Sequence, residues 1–457
     1  MVGKREGVIK GECSEKLAMT AFGGLAVAEA LACRTRLWSD WRRHGPTRCA
    51  SGNGYTGETV AAAVIHGLLG GGQGTAAAEG LRDDAPLRMA LGLEAGVPEE
   101  ATVWRALGDF AAAQDKLSEV LRRQCVRMLG LSDRPAMLVE GFFPIFGDGT
   151  NLEVSGGSKF EGKKTFDGTS KLQWATLWTG PYLAAQAFAA DGVGEAAAVS
   201  DLVEPVWKGV LKAAGLRQGA LFLMDSLYGD GPCLSKLEAC EGAHHIVGAN
   251  KLPGVEKAAA EQPEPQWIKT GVNKERGWAQ SAVCVHAYQA EGWDAPRTVV
   301  TRRFKREGEM IFGYSSLFTS LTREHPKIAA MIRRDGEGRA GFALAIWRLY
   351  DCKQAMENQF KEPLADVGLH HPPCRELARN TAFYGVAALA LNLAIGIKRI
   401  ALEGKDRSMR LWRMRRELFA VAARVTLHAR RTMVTLHTSS QRVREMFTGA
   451  LDRIGAT

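Results

Sequence analysis

The nine cysteines of this sequence are odd in number, scattered, and contain no CxxC pair. Neither a disulfide framework nor a zinc ribbon is signalled, and a reducing compartment fits. The first residues, MVGKREGVIKGECSEK, hold no apolar run long enough for a secretory signal peptide, so none is expected. The longest apolar segment, AFYGVAALALNLAIGI from Ala382 to Ile397, falls short of the roughly 20 residues that span a bilayer. Asn392 interrupts it, so it reads as a buried helix and no membrane partner is expected. The glycine-rich run GLLGGGQGTAAAEG lacks the Lys-Ser/Thr that would hold phosphate and metal, and no β-rich run precedes it. It reads as a turn that ends a helix. No internal repeat or low-complexity tract is visible.

What is present is 457 residues, 46% of them hydrophobic and 24% charged. That is too long for one compact core of usual size, so two or three folded domains are expected. The net charge of +9 favours a polyanionic partner without distinguishing DNA from RNA or a membrane surface. The tract KRIALEGKDRSMRLWRMRRELFAVAARVTLHARR, residues 398–431, concentrates that charge, with Leu411, Trp412 and Phe419 interleaved. It suits either a solvated helix face or phosphate contact. Cys233, Cys240, His244 and His245 could be drawn into a metal site, but their spacing matches no common finger and core thiols with surface histidines explain them as well.

Along the chain the texture changes twice. LAVAEALACRTRLWSDW, GETVAAAVIHGLLGG and VWRALGDFAAAQDKLSEVLRRQCVRML repeat apolar residues at three and four, which predicts an all-α segment up to about Met128. From Met137 to Ala190, AMLVEGFFPIFGDGTNLEV, KLQWATLWTG and YLAAQAFAA read as three sequential strands separated by glycine-rich turns. A helix, a strand (GALFLMDSLYG), a helix (CLSKLEAC) and a strand (HHIVGAN) follow. WAQSAVCVHAYQA, RTVVTRRF and EMIFGYSSLFTSL then form a second β-rich block, and after Asn380 the chain is expected to be helical to its end.

Two aspartates stand out in the first block. Asp148 lies in the first strand, and Asp225 ends the apolar run ALFLM, a common way to bring a carboxylate to the carboxyl edge of a sheet. Each has a plainer reading: Asp148-Gly149 as a tight turn and Asp225-Ser226 as a helix cap. A third acid, Glu357, lies in YDCKQAMENQFK. On one continuous helix Tyr350, Lys353, Glu357 and Lys361 would fall in a single stripe, where Glu357 could simply pair with a lysine. Taken together, two strand-borne aspartates and a helix-borne glutamate suit two oxygen-loving metal ions.

This order of acids resembles the ribonuclease H-like core of DDE transposases encoded by bacterial insertion sequences. Many of these carry Tyr-x2-Arg-x3-Glu-x6-Lys around the catalytic glutamate, and this chain reads Tyr350-x2-Lys353-x3-Glu357. A subgroup has Glu-Asn-x-x-Lys-Glu, matched by Glu357, Asn358, Lys361 and Glu362, followed by an Asn-containing apolar helix like RNTAFYGVAALALNLAIG. Lys353 replaces the usual arginine, which keeps the charge and loses bidentate phosphate binding. Leu364 stands at the place of the last lysine, just after Pro363.

The resemblance implies an α/β fold: a ribonuclease H-like mixed sheet with a β-rich insertion, an all-α N-terminal domain and a helical C-terminal region. The implied division is 1–131, a DNA-end-binding domain; 132–256, the first part of the catalytic core; 257–322, the insertion; 323–397, core helices with Glu357; and 398–457, a basic region. It also implies that Asp148, Asp225 and Glu357 hold two Mg²⁺ ions, with Mn²⁺ able to substitute. Tyr350, Lys353 and Lys361 would hold the DNA backbone, and Tyr314, in the last strand before the catalytic helix, would stack on a displaced base. The expected partners are double-stranded DNA, namely terminal inverted repeats and target, and a second copy of the chain on paired ends. The expected location is the cytoplasm, at the nucleoid. A nuclease on the same fold, or a DNA-binding repressor without catalysis, is the alternative.

Overall fold

A computed structural model describes residues 18–48, 54–154, 163–164, 170–189, 194–249, 252–273, 275–336, 338–354, 362–428 and 431–455. Strand β1 (Met19–Thr20) precedes a run of helices: Ala26–Arg34, Leu37–His44, Gly57–Gly70, Ala85–Ala90, Glu100–Ala112 and Gln114–Leu131. The Gly57–Gly70 helix ends where Gly71 turns left-handed at φ 110°, and the Gly72 N–H returns to the Gly67 carbonyl. The glycine-rich run is thus the helix stop that its composition predicts.

The centre is a mixed sheet, ten-stranded among the described residues. Its strands are β2 (Phe143–Glu153), β3 (Lys163–Lys164), β4 (Ser170–Thr179), β5 (Tyr182–Phe188), β6 (Ala220–Met224), β7 (His244–Gly248), β8 (Ile268–Lys269), β9 (Trp278–Tyr288), β10 (Arg297–Arg306) and β11 (Gly313–Thr319). Their spatial order is β3-β4-β2-β6-β7-β11-β10-β9-β8, with β5 also paired to β4. The hairpin strands β2, β4 and β5 are antiparallel, while β6 runs parallel to both β2 and β7. The helices Glu195–Val206 and Gly231–Glu238 make the two crossovers that parallel pairing needs. ALFLM is apolar and wholly buried, and HHIVG is buried from His245 on, because these inner strands are covered on both faces.

The second β-rich block, β8 to β11, continues the same sheet: β11 pairs antiparallel with β7 through Leu317↔Gly248 and Phe318↔Val247. The helix Leu377–Gly396 is apolar on every side and buried by the Gly57–Gly70, Glu100–Ala112 and Gln114–Leu131 helices and by β5. With its continuation to Ala401 it is long and apolar enough to cross a membrane, yet 94% of its apolar window lies inside the protein. The polar interruption at Asn392 has a structural use. Asn392 accepts from the Leu183 N–H and donates to the Leu183 carbonyl, both at 2.9 Å, satisfying backbone groups of β5 where its register with β4 slips.

The C-terminal region departs from the expected all-helical reading. β12 (Ala423–His428) and β13 (Arg431–Leu436) form a hairpin, and β12 pairs with β1 to make a separate three-stranded sheet. ARVTLH and RTMVTL are rich in β-branched residues, a strand preference that the charge of the tract obscured. The helix Gln441–Ile454 follows.

Candidate active site

Asp148 and Asp225 come together at one edge of the sheet. β2 and β6 are parallel, with Gly147 opposite Met224, so the next residue of each strand is an aspartate. Neighbouring strands lie about 4.8 Å apart, and laterally paired residues point to the same face. Close approach is built in. A Cβ on Gly147 would meet the Met224 methyl at 2.7 Å and Val199 at 3.1 Å, and one on Gly248 would meet the Ser226 nitrogen at 2.6 Å, just after Asp225.

The plainer readings of the two acids fare differently. Asp148 is no turn residue, since it lies within β2 opposite Thr176, whose hydroxyl donates to the Asp148 carbonyl. Asp225 does cap the short helical turn Ser226–Tyr228, accepting the Ser226 N–H at 2.6 Å, and its side chain stays exposed. A cap and a ligand are compatible roles, because a carboxylate has a second oxygen.

Lys353 supplies the positive charge. Its Nζ lies 3.6 Å from Asp148 Oδ2, with only 10% of the lysine side chain exposed. Burial pushes the Asp148 carboxyl above its ordinary value; the Lys353 ammonium and the Gly149 N–H pull it down, and the Asp225 charge pushes it up again. Two carboxylates and one ammonium therefore share a partly buried pocket of oxygen donors. That donor chemistry fits hard cations such as Mg²⁺ or Mn²⁺ and offers nothing to soft ones. Among the described residues no group of three His, Cys, Asp or Glu gathers at one place. Glu357 and Lys361 lie outside the described residues, so their positions in the stripe are not part of this geometry.

The stripe itself is interrupted. The helix that carries Tyr350, Gly341–Asp351, ends before Lys353, and the Lys353 N–H turns back to the Tyr350 carbonyl in a tighter turn. That turn buries the Lys353 side chain toward Asp148. Glu362 is engaged structurally, taking Lys398 at 2.5 Å and the Leu411 N–H at 2.8 Å. Tyr314 packs with Trp267, their ring centres 6.0 Å apart, beside Ala282 and Cys284. It pairs across the sheet with Arg303, and Arg303 caps the same Trp267 ring. Tyr314 therefore lies on one face of the β9–β11 layer, while the Gly341–Asp351 helix touches Arg302, which points the other way.

Much of the basic C-terminal tract is already engaged within the protein. Lys398 pairs with Glu362, Arg410 with Asp366, Arg413 and Arg416 with Glu417, and Arg415 donates to the Leu68, Leu69 and Asp366 carbonyls. Cys233 and Cys240 are core residues whose thiols burial pushes up to about 12, so they are poor candidates for thiolate ligands. His244 leaves them for Phe142 and His325, the latter with its ring centre 4.7 Å away.

The two aspartates thus lie at the carboxyl ends of adjacent parallel strands, with Lys353, from the turn after a later helix, paired to Asp148. The chain belongs to the family described as Transposase DDE domain group 1, whose model matches residues 175–457. The matched stretch takes in Asp225, Lys353 and Glu357 and begins after Asp148. A search of curated proteins finds no match.

Proposed function

We propose that this chain is a DNA transposase that cuts at terminal inverted repeats and joins the freed 3′-hydroxyl to target DNA by phosphoryl transfer. The observation that carries this reading is the placement of Asp148 beside Asp225 with Lys353 paired to Asp148. In this reading Asp148, Asp225 and Glu357 hold two Mg²⁺ ions, or Mn²⁺, which when bound would activate the attacking hydroxyl and stabilise the leaving oxygen. Lys353 balances Asp148 in the free protein, and with Tyr350 and Lys361 it would give a phosphate a positive or donating neighbour. The order β5-β4-β2-β6-β7 supports a ribonuclease H-like core over 132–256 and 323–397, with 257–322 as its insertion. Residues 1–131 would then bind the element end, 398–457 would serve as an accessory basic region, and a second copy would hold the other end.

The test is nicking and strand transfer on a duplex that carries the repeats flanking the gene. Asp225→Asn should abolish both while leaving DNA binding in place, and undiminished nicking by that variant would end the proposal. Nicking without strand-transfer product would favour a nuclease, and binding without nicking a repressor.

A further inference from the structure

Adjacent arginines of β10 have opposite circumstances. Arg303 is bound to both oxygens of Glu264, at 2.5 and 2.8 Å, and lies over Trp267. Arg302, one residue earlier, points to the other face. Its guanidinium lies 4.3 Å from the ring centre of Trp347 and 5.3 Å from that of Trp278. Trp347 is buried within the Gly341–Asp351 helix, and Trp278 is stacked on Phe304 at 4.7 Å. The nearest acid on that helix, Asp351, is taken by Arg276 at 3.0 Å.

Arg302 thus lies over two indoles, with no hydrogen bond or ion pair to any described residue for its five donors. A half-buried guanidinium so placed has been stripped of part of its water without receiving an acceptor in return. Burial accordingly pulls its pKa down to about 10, against the opposing pull of Asp351. Contact with two aromatic rings restrains the guanidinium while its donors keep no acceptor among the described residues, circumstances suited to binding an oxyanion.

The location is informative. Trp347 makes an edge contact with Tyr350, ring centres 6.1 Å apart, and three residues later Lys353 reaches Asp148. The helix rises about 6 Å from Trp347 to its end at Asp351, and the turn beyond it carries the chain on to Lys353. Successive nucleotides of one strand advance about 3.4 Å along a duplex, so the helical rise and the turn together cover two or three of them.

We propose that Arg302 is a DNA-phosphate clamp, holding the backbone two or three nucleotides from the reacting phosphate and supplying the bidentate grip that Lys353 cannot give. This rests on the transposase reading above and adds a positioning residue to it. Arg302 comes from the β-rich block and Trp347 from the helix before Glu357, so the clamp would also tie those two segments to one strand of DNA.

The test uses the full chain in EDTA with a fluorescent duplex bearing the flanking repeats, titrated over a range of salt. Arg302→Gln should make the logarithmic salt slope shallower by about 0.9 and weaken binding about fivefold at 0.15 M salt, with little change in melting temperature. Arg302→Lys should keep the slope, and Arg303→Gln, on the opposite face, should lower melting temperature while leaving the slope alone. An unchanged slope in Arg302→Gln would overturn the clamp. Nicking by Asp225→Asn on the same duplex reports separately on the parent reading: a shallower slope with persistent nicking would keep the phosphate contact and remove the transposase chemistry.

Discussion

Replacing Lys353 by Gln removes the cation paired with Asp148. At 3.6 Å and an effective dielectric near 20, the Lys353–Asp148 attraction is about 4–5 kcal/mol. That is a ceiling. Asp148 keeps 22% of its side chain exposed, and a buried ammonium costs desolvation that Gln does not. A net loss of about 2 kcal/mol is expected, or about 2–5 °C in melting temperature for a chain of this size. Because Asp148 would then face the Asp225 charge without compensation, added cations should bind the pair more readily. The assay is thermal unfolding of wild type and Lys353→Gln, first in EDTA and then with millimolar Mg²⁺. Wild type should melt higher in EDTA, and Mg²⁺ should raise the variant more than wild type, narrowing the gap. Equal melting in EDTA together with equal Mg²⁺ shifts would refute the idea that Lys353 serves as counter-ion to a cation site.

Four further outcomes are expected, the first from the proposed role of Glu357 and the rest from the geometry. Glu357→Gln should lose metal-dependent nicking while DNA affinity holds or tightens, as read by gel shift, because a carboxylate beside phosphates repels them. Asn392→Leu should cost about 2–5 kcal/mol in urea unfolding, since it leaves the buried Leu183 N–H and carbonyl without partners. Gly248→Ala should cost about 1–3 kcal/mol and reduce nicking disproportionately, because its Cβ would press the backbone at Ser226 and displace Asp225. His245 is buried and burial depresses its pKa to about 4, so it must stay neutral in the folded state. Stability should therefore be full above pH 6.5 and decline as pH falls toward 4, and His245→Gln should flatten that part of a melting-temperature profile.

For Tyr314 the structure favours a packing role, and the comparison is direct: Tyr314→Ala should slow cleavage of an intact duplex and of one already missing the base by the same factor. A selective defect on the intact duplex would restore base stacking.

The sequence by itself determined most local elements and their order, the β12–β13 hairpin excepted. Period-two runs such as KLQWATLWT and RTVVTRRF, and all-apolar runs such as ALFLM, are strands because only a pleated or doubly covered position accommodates them. ALFLM ending at Asp225 also fixed that carboxylate at a strand terminus. Tertiary structure decided everything that depends on which distant residues meet. Lys353 reaches Asp148, and Arg302 lies on Trp347, through the packing of a helix against a sheet, and no spacing within YDCKQAMENQFK encodes either contact. The basic tract shows the same limit from the other side. Its charge was legible, as was the i,i+4 pair Arg413–Glu417, but whether the other arginines and lysines meet phosphate or a carboxylate of their own chain depends on the acids that folding brings near, and Glu362 and Asp366 reach Lys398 and Arg410 only through the tertiary fold. Charge is a property of residues, whereas its availability is a property of the fold.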